Sequence, residues 1–239
     1  MAFLQPPASQ QPAVNIPWPV ALLLVAFVAV HVLRTVLLPG LSDVILARYA
    51  FNPALYSQAF LSANNLDPGS LWDQSIPFLS YIFLHGDWTH LAINSLWMLA
   101  FGPVVARRFG ALRFFLFFFV CGIAAAAVQM LCTWGQFAPI IGASGAISGL
   151  MAAGIRMLPL QDPLHERLGT PLLPLLSRQV LLFSSIWGIT NVAAGLTGFA
   201  GVGSEIRLIA WQAHLGGYAA GLLLCDVFDR WRNQTAPVA

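Results

Sequence analysis

Four polar side chains within otherwise apolar stretches have residue types suited to nucleophilic chemistry: Ser144, His214, His90 and Asn94. A serine hydroxyl becomes a nucleophile when a neutral imidazole lies about 2.6–3.2 Å away and accepts its proton. Histidine is suited to that task because it titrates close to neutral pH. A developing oxyanion needs further N–H donors, which a second histidine and an asparagine can supply. The residue types therefore indicate a nucleophile, a base and an oxyanion hole, provided that the fold brings them together.

The serine and the second histidine each lie near the start of an apolar segment. Ser144 follows Gly142 and Ala143, and small residues continue the segment after it. If a helix begins at this serine, its first backbone N–H groups have no partner within the helix and carry the positive end of the helix dipole. His90 and Asn94 are four residues apart, so a helix places them on one face. These donors can together surround an oxyanion.

Glycines at helical spacing predict how the serine meets its base. Gly145 and Gly149 are four residues apart in the segment of the serine. Gly217 and Gly221 have the same spacing, and His214 precedes Gly217 by three residues. Small residues four apart let two membrane helices approach closely. We therefore expect these two helices to pack together and form a Ser–His dyad, since no acidic third member is evident near the histidine.

The composition places these residues in a membrane. Of 239 residues, 58% are hydrophobic and 8% are charged, whereas roughly a quarter are charged in ordinary soluble domains. A soluble domain would lack its charged shell, and the apolar content excludes disorder. The net charge of +2 gives no reason to expect nucleic acid. The three cysteines form no CxxC pair, so neither a disulfide framework nor a thiolate metal site is expected.

Long apolar runs indicate helical spans, since a hydrocarbon core of ~30 Å needs about 20 helical residues. Six candidate spans are Pro17–Leu38, Phe83–Val105, Ala111–Leu131, Ile141–Leu158, Gln179–Phe199 and Leu208–Phe228. Residues 1–16 are expected to be a disordered tail, residues 17–230 one membrane domain and residues 231–239 a short C-terminal tail. The connection Pro39–Ser80 mixes polar and apolar residues, and we expect a partly embedded interfacial element there.

The arginines set an expected orientation. Eight of them lie between spans two and three, between spans four and five, or after span six: Arg107, Arg108, Arg113, Arg156, Arg167, Arg178, Arg230 and Arg232. The opposite side has Arg34, Arg48 and Arg207. The positive-inside rule then predicts cytoplasmic termini, and spans two, four and six run from the outside to the inside. The polar clusters accordingly share one depth, ~5–10 Å below the outer surface.

Three sequence motifs fall in order on the second, fourth and sixth expected spans. They are the segment from Phe83 to Asn94, residues 142–145 (Gly-Ala-Ser-Gly), and residues 213–221 (Ala-His-Leu-Gly-Gly-Tyr-Ala-Ala-Gly). In this combination they resemble the motifs of the rhomboid family of intramembrane serine proteases. The resemblance covers about residues 17–230. It implies an all-α integral membrane fold, a minimal six-helix bundle with a long, partly embedded first loop.

The resemblance implies a role for each matched residue. Ser144 would be the nucleophile and His214 its general base. His90, Asn94 and the backbone N–H of Ser144 would form the oxyanion hole, and Gly142 would keep the approach to the serine open. Supporting positions are His85, Gly145, Gly217 and Gly221.

The resemblance also implies substrates, partners and a location. The substrates would be single-pass transmembrane proteins cleaved in or near the membrane, where helix-destabilising residues let an extended backbone reach the serine. No cofactor, metal or nucleic acid is implied; the partners are these substrates and the lipid bilayer, and the oligomeric state is open. Together with the all-arginine usage, the resemblance favours a bacterial inner membrane, with both termini cytoplasmic and the active site open to the outer face.

Two departures from the family pattern affect the expected site. Residues 71–77 of the first loop lack the Trp-Arg pair of many members, and Ser148 stands where many members place a tyrosine beneath the imidazole. The histidine would lose aromatic support, which Ser148 or Tyr218 would replace only in part. Trp187 and Phe199 are candidate gate residues of the fifth span, with core packing as the other interpretation of both.

Alternative functions stay open beside the protease. A catalytically silent relative would bind transmembrane helices, although such relatives typically lack the serine or the histidine. A transporter or channel would place polar pairs at the midplane or contain inverted repeats. A haem or metal site on His85, His90 and His214 would leave the Gly-Ala-Ser-Gly string unexplained.

The remaining polar groups of the spans are expected to be structural. Asn191 and Gln129 would bond across helices. His31 and Arg34 lie near the outer end of the first span, where an arginine can extend its charged end to the surface.

Overall fold

The structure of the chain is a computed structural model that describes residues 16–158, 171–200, 206–207 and 210–235. Its helices are α1 (Trp18–Val32), α2 (Ser42–Tyr49), α3 (Gln58–Ala63), α4 (Leu71–Ser75), α5 (Pro77–Ser80), α6 (Trp88–Phe109), α7 (Ala111–Cys132), α8 (Ser144–Arg156), α9 (Arg178–Thr197) and α10 (Trp211–Thr235). A π-helical turn, Leu33–Leu37, continues α1, and 3-10 turns occupy Pro39–Leu41, Pro53–Tyr56 and Tyr81–Phe83. Two short strands, β1 (Phe199–Ala200) and β2 (Ile206–Arg207), pair antiparallel between α9 and α10.

The architecture is an all-α membrane bundle. Four of the described segments are long and apolar enough to cross a membrane: Trp18–Leu37, Trp88–Phe109, Ala111–Cys132 and Arg178–Thr197. The shorter α8 and the long α10 complete the bundle, and α8 contacts α6, α7 and α10. Each of the six expected spans contains a helix, so the predicted fold class is confirmed.

The start of the second span differs from the sequence-based expectation. The expected span begins at Phe83, whereas α6 begins at Trp88. The reason is a side-chain cap, since the Asp87 carboxylate accepts a hydrogen bond from the backbone N–H of His90 at 2.8 Å. The residues before the cap form a 3-10 turn and a loop. His90 therefore lies in the first turn of α6.

The fourth span is shorter than expected. The expected segment is Ile141–Leu158, but α8 has 13 residues, Ser144–Arg156. Gly142 has a φ of +109°, which no helix can contain. All α8 residues from Gly145 to Arg156 are buried. Because protein rather than lipid surrounds this central helix, its length need not match the thickness of the bilayer.

The first loop is a series of short helices rather than an open connection. The Ser70 and Asp73 side chains cap α4 reciprocally, and Asp73 forms an ion pair with Arg48 of α2. Phe51, fully buried, exchanges backbone hydrogen bonds with Ile140 just before α8. The loop is thus attached to the segment that carries the serine.

Two arginines are buried among the described residues, and Arg34 has the structural role expected from the sequence without extending to the surface. Arg34 is 4% exposed, and it donates to Ser42 Oγ at 2.7 Å and to the backbone carbonyl of His85. It therefore joins α1 to the loop before α6 instead of reaching the surface. Arg156 is 3% exposed and forms an ion pair with Asp226 of α10 at 2.5 Å.

Several predictions concern parts of the chain outside the described residues. These are most of the expected N-terminal tail, the end of the C-terminal tail and most of the connection between α8 and α9, which contains Arg167. The structure also does not describe four side chains that the predictions mention: Phe199, Arg207, Arg230 and Arg232.

Candidate active site

A short hydrogen bond joins two helices at the centre of the bundle. His214 Nε2, in the first turn of α10, lies 2.7 Å from Ser144 Oγ, the first residue of α8. This separation lies within the range in which an imidazole removes a proton from a hydroxyl. Ser144 is half-buried, so its hydroxyl is not sealed from an incoming group.

Glycines create the close approach of α8 and α10 that this distance requires. A Cβ added to Gly217 would overlap the backbone of Gly145, and one added to Gly221 would overlap the backbone of Gly149. A Cβ on Gly145 would lie 2.6 Å from the Cβ of Ala125 in α7, closer than two carbon atoms can pack. The position of α8 between α7 and α10 therefore depends on glycine.

The turn before α6 orients the imidazole of His90. Its Nδ1 accepts a hydrogen bond from the backbone N–H of Gly86 at 3.3 Å, so the proton of the neutral ring lies on Nε2. That nitrogen lies beside the loop that precedes the serine, since a Cβ built on Gly142 would be 2.7 Å from it. The Nε2–H of His90 is thus a donor at the entrance to α8.

Asn94 lies one turn below His90 and is 3% exposed. Its Nδ2 donates to the backbone carbonyl of His90 at 2.9 Å and lies 3.9 Å from the Cβ built on Gly142. A side-chain amide carries two N–H groups, and one of them remains after this bond. Asn94 therefore brings a second donor to the same side of the loop.

Tyr81 fixes the loop before the serine, although no sequence motif marks it. The N–H of Gly142 donates to the backbone carbonyl of Tyr81 at 2.9 Å, and the buried Tyr81 hydroxyl donates to the carbonyl of Gly122 in α7 at 2.8 Å. The positive φ of Gly142 turns the chain so that α8 starts at Ser144. As the first helical residue, Ser144 has a backbone N–H without an acceptor inside the helix.

His85 packs against His90 in the protein interior. Its ring is fully buried, and its centroid lies 5.2 Å from the ring of His90 and 5.4 Å from the ring of Phe27. Burial, with a smaller contribution from His90, lowers the pKa of His85 to about 3, so this imidazole stays neutral. Its contacts are those of a packing residue.

The other ring nitrogen of the candidate base binds a residue of α9. Asn191 Oδ1 lies 2.7 Å from His214 Nδ1, and Asn191 Nδ2 donates to the backbone carbonyl of Trp211 at 3.1 Å. The sequence marks Asn191 as a polar residue in an apolar span, and its predicted bond across helices is present. Its contact with the candidate base is not foreseen, because periodicity within α9 does not give the register between α9 and α10.

The positions that depart from the family pattern also have defined contacts. The Ser148 hydroxyl donates to the carbonyl of Ser144 in its own helix at 2.7 Å and does not support the imidazole. Tyr218, one turn after His214, stacks on Trp187 of α9 with centroids 4.1 Å apart. The Tyr218 and Ser184 hydroxyls are 2.8 Å apart. Of the two candidate gate residues, Trp187 therefore packs between α9 and α10. The structure does not describe the side chain of the other, Phe199.

The described part of the chain contains no group of three or more His, Cys, Asp or Glu side chains that could hold a metal ion. The arrangement instead unites one hydroxyl, one imidazole that can accept its proton, and three N–H donors around the start of α8. Such a set of groups is suited to acyl transfer.

Comparison with known proteins agrees with the motifs. A family model described as Rhomboid domain matches residues 69–230. This range includes every residue of the candidate site.

Three relatives from Arabidopsis thaliana illustrate the similarity. Rhomboid-like protein 11, chloroplastic, is 26% identical over 154 residues, which are 64% of this chain and 52% of the relative. RHOMBOID-like protein 5 is 26% identical over 72% of this chain and 48% of its own length. RHOMBOID-like protein 4 is 28% identical over 64% of this chain and 34% of its own length. The chain matches only about half, or less, of the length of these relatives.

Proposed function

Since the chain belongs to the rhomboid family, we propose that it is an intramembrane serine endopeptidase that cleaves single-pass transmembrane proteins in or near the membrane. The observation that carries the proposal is the 2.7 Å distance between His214 Nε2 and Ser144 Oγ. A hydroxyl–imidazole pair at the contact of two helices that glycines hold together is far more specific evidence than either residue alone.

The first chemical step is attack by the serine. Ser144 Oγ forms a bond to the scissile carbonyl carbon while its proton moves to His214 Nε2. The carbonyl π electrons move to the oxygen, giving a tetrahedral intermediate with an oxyanion. The imidazolium then donates this proton to the leaving amine as the C–N bond breaks, which leaves an acyl-enzyme on Ser144.

Three donors stabilise the oxyanion in this proposal. They are the Nε2–H of His90, an N–H of Asn94 Nδ2 and the backbone N–H of Ser144. The first two lie beside Gly142, where a Cβ would be 2.7 Å from His90 Nε2, so any side chain at this position would crowd these donors. Removal of one such donor typically lowers kcat about 10²–10³-fold.

Hydrolysis of the acyl-enzyme completes the cycle. Water attacks the ester carbon, and His214 accepts one proton of this water and returns it to Ser144 Oγ as the ester bond breaks. The same oxyanion donors serve both halves of the reaction, so the chain's own residues supply all the catalytic groups.

The proposed location follows from the distribution of arginine. Most arginines fall on one side of the spans, which favours cytoplasmic termini. The dyad then lies near the outer face of a bacterial inner membrane. The exposed apolar residues of α9, such as Ile186 and Ile189, suit contact with lipid.

The test is cleavage in proteoliposomes. The purified protein is reconstituted with a tagged single-span substrate, and wild type is compared with Ser144→Ala and His214→Ala. Cleavage should be lost in both variants, while Ser95→Ala, a matched change at a serine that bonds only to its own helix, should cleave like wild type. Cleavage that persists in Ser144→Ala would overturn the mechanism. Binding of the substrate without cleavage by wild type would indicate a catalytically silent helix-binding protein instead.

A further inference from the structure

The second ring nitrogen of His214 has its own partner, and this contact lies outside the dyad. Asn191 comes from α9, whereas the serine comes from α8, so the imidazole lies between two helices and is bonded to both. The distances are 2.7 Å from Nε2 to Ser144 Oγ and 2.7 Å from Nδ1 to Asn191 Oδ1. Both ring nitrogens are therefore engaged.

A backbone carbonyl determines which way the Asn191 amide faces. The carbonyl of Trp211 can only accept, so the asparagine must direct its NH₂ group to it, at 3.1 Å. The amide oxygen then faces His214. The orientation of a side-chain amide is normally inferred from its surroundings, and here the surroundings allow only one.

This orientation selects the tautomer of the imidazole. An amide oxygen can only accept, so Nδ1 of His214 must carry the proton. The neutral ring then has a lone pair on Nε2, the nitrogen that faces Ser144 Oγ. Only in this tautomer can the neutral ring accept the proton of the serine.

Further contacts hold Asn191 in register. Ser184, Trp187 and Asn191 are spaced by three and four residues and share one face of α9. Trp187 stacks on Tyr218, and the Ser184 hydroxyl bonds to the same tyrosine. The two helices are thus fixed one turn away from the asparagine by contacts that do not involve the histidine.

We propose that Asn191 is a positioning residue of the active site, which holds His214 in the Nδ1–H tautomer and stabilises the imidazolium that forms during attack. The proposal rests on the proposed function and adds a neutral third member to the dyad. An amide serves this purpose in a membrane because it brings no charge into the apolar bundle.

The test compares two substitutions of Asn191. Asn191→Leu keeps the approximate volume and removes both hydrogen bonds, and it should lower kcat about 10- to 100-fold with little change in KM, as expected for loss of a bond to a group that becomes charged in the transition state. Asn191→Asp loses the donor to Trp211 but keeps an acceptor for Nδ1, and should restore most of the activity. Thr190→Ala, at the neighbouring exposed position whose hydroxyl bonds to carbonyls of its own helix, should leave kcat unchanged.

A spectroscopic measurement separates this proposal from the proposed function. In protein with ¹⁵N-labelled histidine, the His214 signals, identified by their loss in His214→Gln, should show a protonated Nδ1 and an unprotonated Nε2 in wild type. Asn191→Leu should lose this preference. An unchanged tautomer and an unchanged kcat in Asn191→Leu would overturn the positioning role. Absence of cleavage by wild type, with the expected tautomer present, would refute the protease and keep the role of Asn191 in orienting the ring.

Discussion

Adding one methyl group at Gly217 should move His214 away from Ser144. The Cβ of Gly217→Ala would lie 1.9 Å from the carbonyl oxygen of Gly145, where a carbon and an oxygen need ~3.3 Å. Because the obstacle is backbone, no side chain can move aside, and α8 and α10 must separate by roughly 1.4 Å. The distance from His214 Nε2 to Ser144 Oγ would then rise from 2.7 Å to about 4 Å, beyond a normal hydrogen bond.

Both the activity and the stability of Gly217→Ala should be lower than those of wild type. A displacement of this size at a reacting pair costs about 10²-fold in kcat, and overpacking destabilises by about 1–3 kcal/mol. The assays are substrate cleavage in proteoliposomes and thermal unfolding in detergent. Gly188→Ala in α9 is the matched control, because its Cβ would meet no atom within 4 Å. Wild-type activity in Gly217→Ala would refute the idea that glycine contact sets the dyad distance.

Three further predictions concern the proposed oxyanion donors, the ion pair of the buried Arg156 and pH. His90→Ala should lower kcat about 10²–10³-fold, and its melting temperature should fall less than that of a variant with a truncated core residue. A kcat equal to that of wild type would show that His90 is not part of the oxyanion hole. Arg156→Met leaves the Asp226 carboxylate and two backbone carbonyls without their donor, so the free energy of unfolding should fall by about 1–3 kcal/mol in a denaturation assay, and an unchanged value would contradict the contribution of the pair. Because burial lowers the pKa of His85 to about 3 from 6.5, the unfolded chain binds the extra proton below pH 6.5, and stability should fall by up to about 1.4 kcal/mol per pH unit as the pH drops from 6.5 towards 3. His85→Phe should reduce this slope in pH-dependent melting, and equal slopes would show that the ring is protonated in the folded protein.

The helix packing around the dyad could be read from the sequence because it depends on residue size at fixed spacing. Glycines four apart on two segments predict a close crossing, and Gly145 and Gly217 do meet at backbone contact. The serine and histidine precede these glycines by one and three residues, so the crossing also brings them together. Local spacing was sufficient because both residues lie on helices that touch each other.

The helix ends and the links between helices could not be predicted in the same way. Hydropathy places Phe83 in a span, but the Asp87 cap starts the helix only at Trp88. A side-chain cap overrides apolar character, since it satisfies N–H groups that the apolar residues leave without partners.

Buried polar residues show the other limit of sequence reasoning. Arg34 sits where an arginine can reach the surface, yet it turns inward to the His85 carbonyl and Ser42. Asn191 contacts the candidate base only because α9 packs at one particular register on α10. The binding partners of Arg34 and Asn191 cannot be predicted from hydrophobic periodicity. Periodicity defines which residues share one face of a helix, but it does not give the residues that this face contacts.

Covalent labelling of the serine tests the central claim most directly. The protein in detergent or proteoliposomes is treated with a fluorophosphonate, and the adduct is mapped by mass spectrometry. The proposed mechanism predicts one adduct, on Ser144, that is absent in Ser144→Ala and strongly reduced in His214→Ala, because the reagent needs a serine activated by its base. An unlabelled wild-type serine, or labelling at another residue that persists in Ser144→Ala, would contradict the assignment of the hydroxyl–imidazole pair as a catalytic dyad.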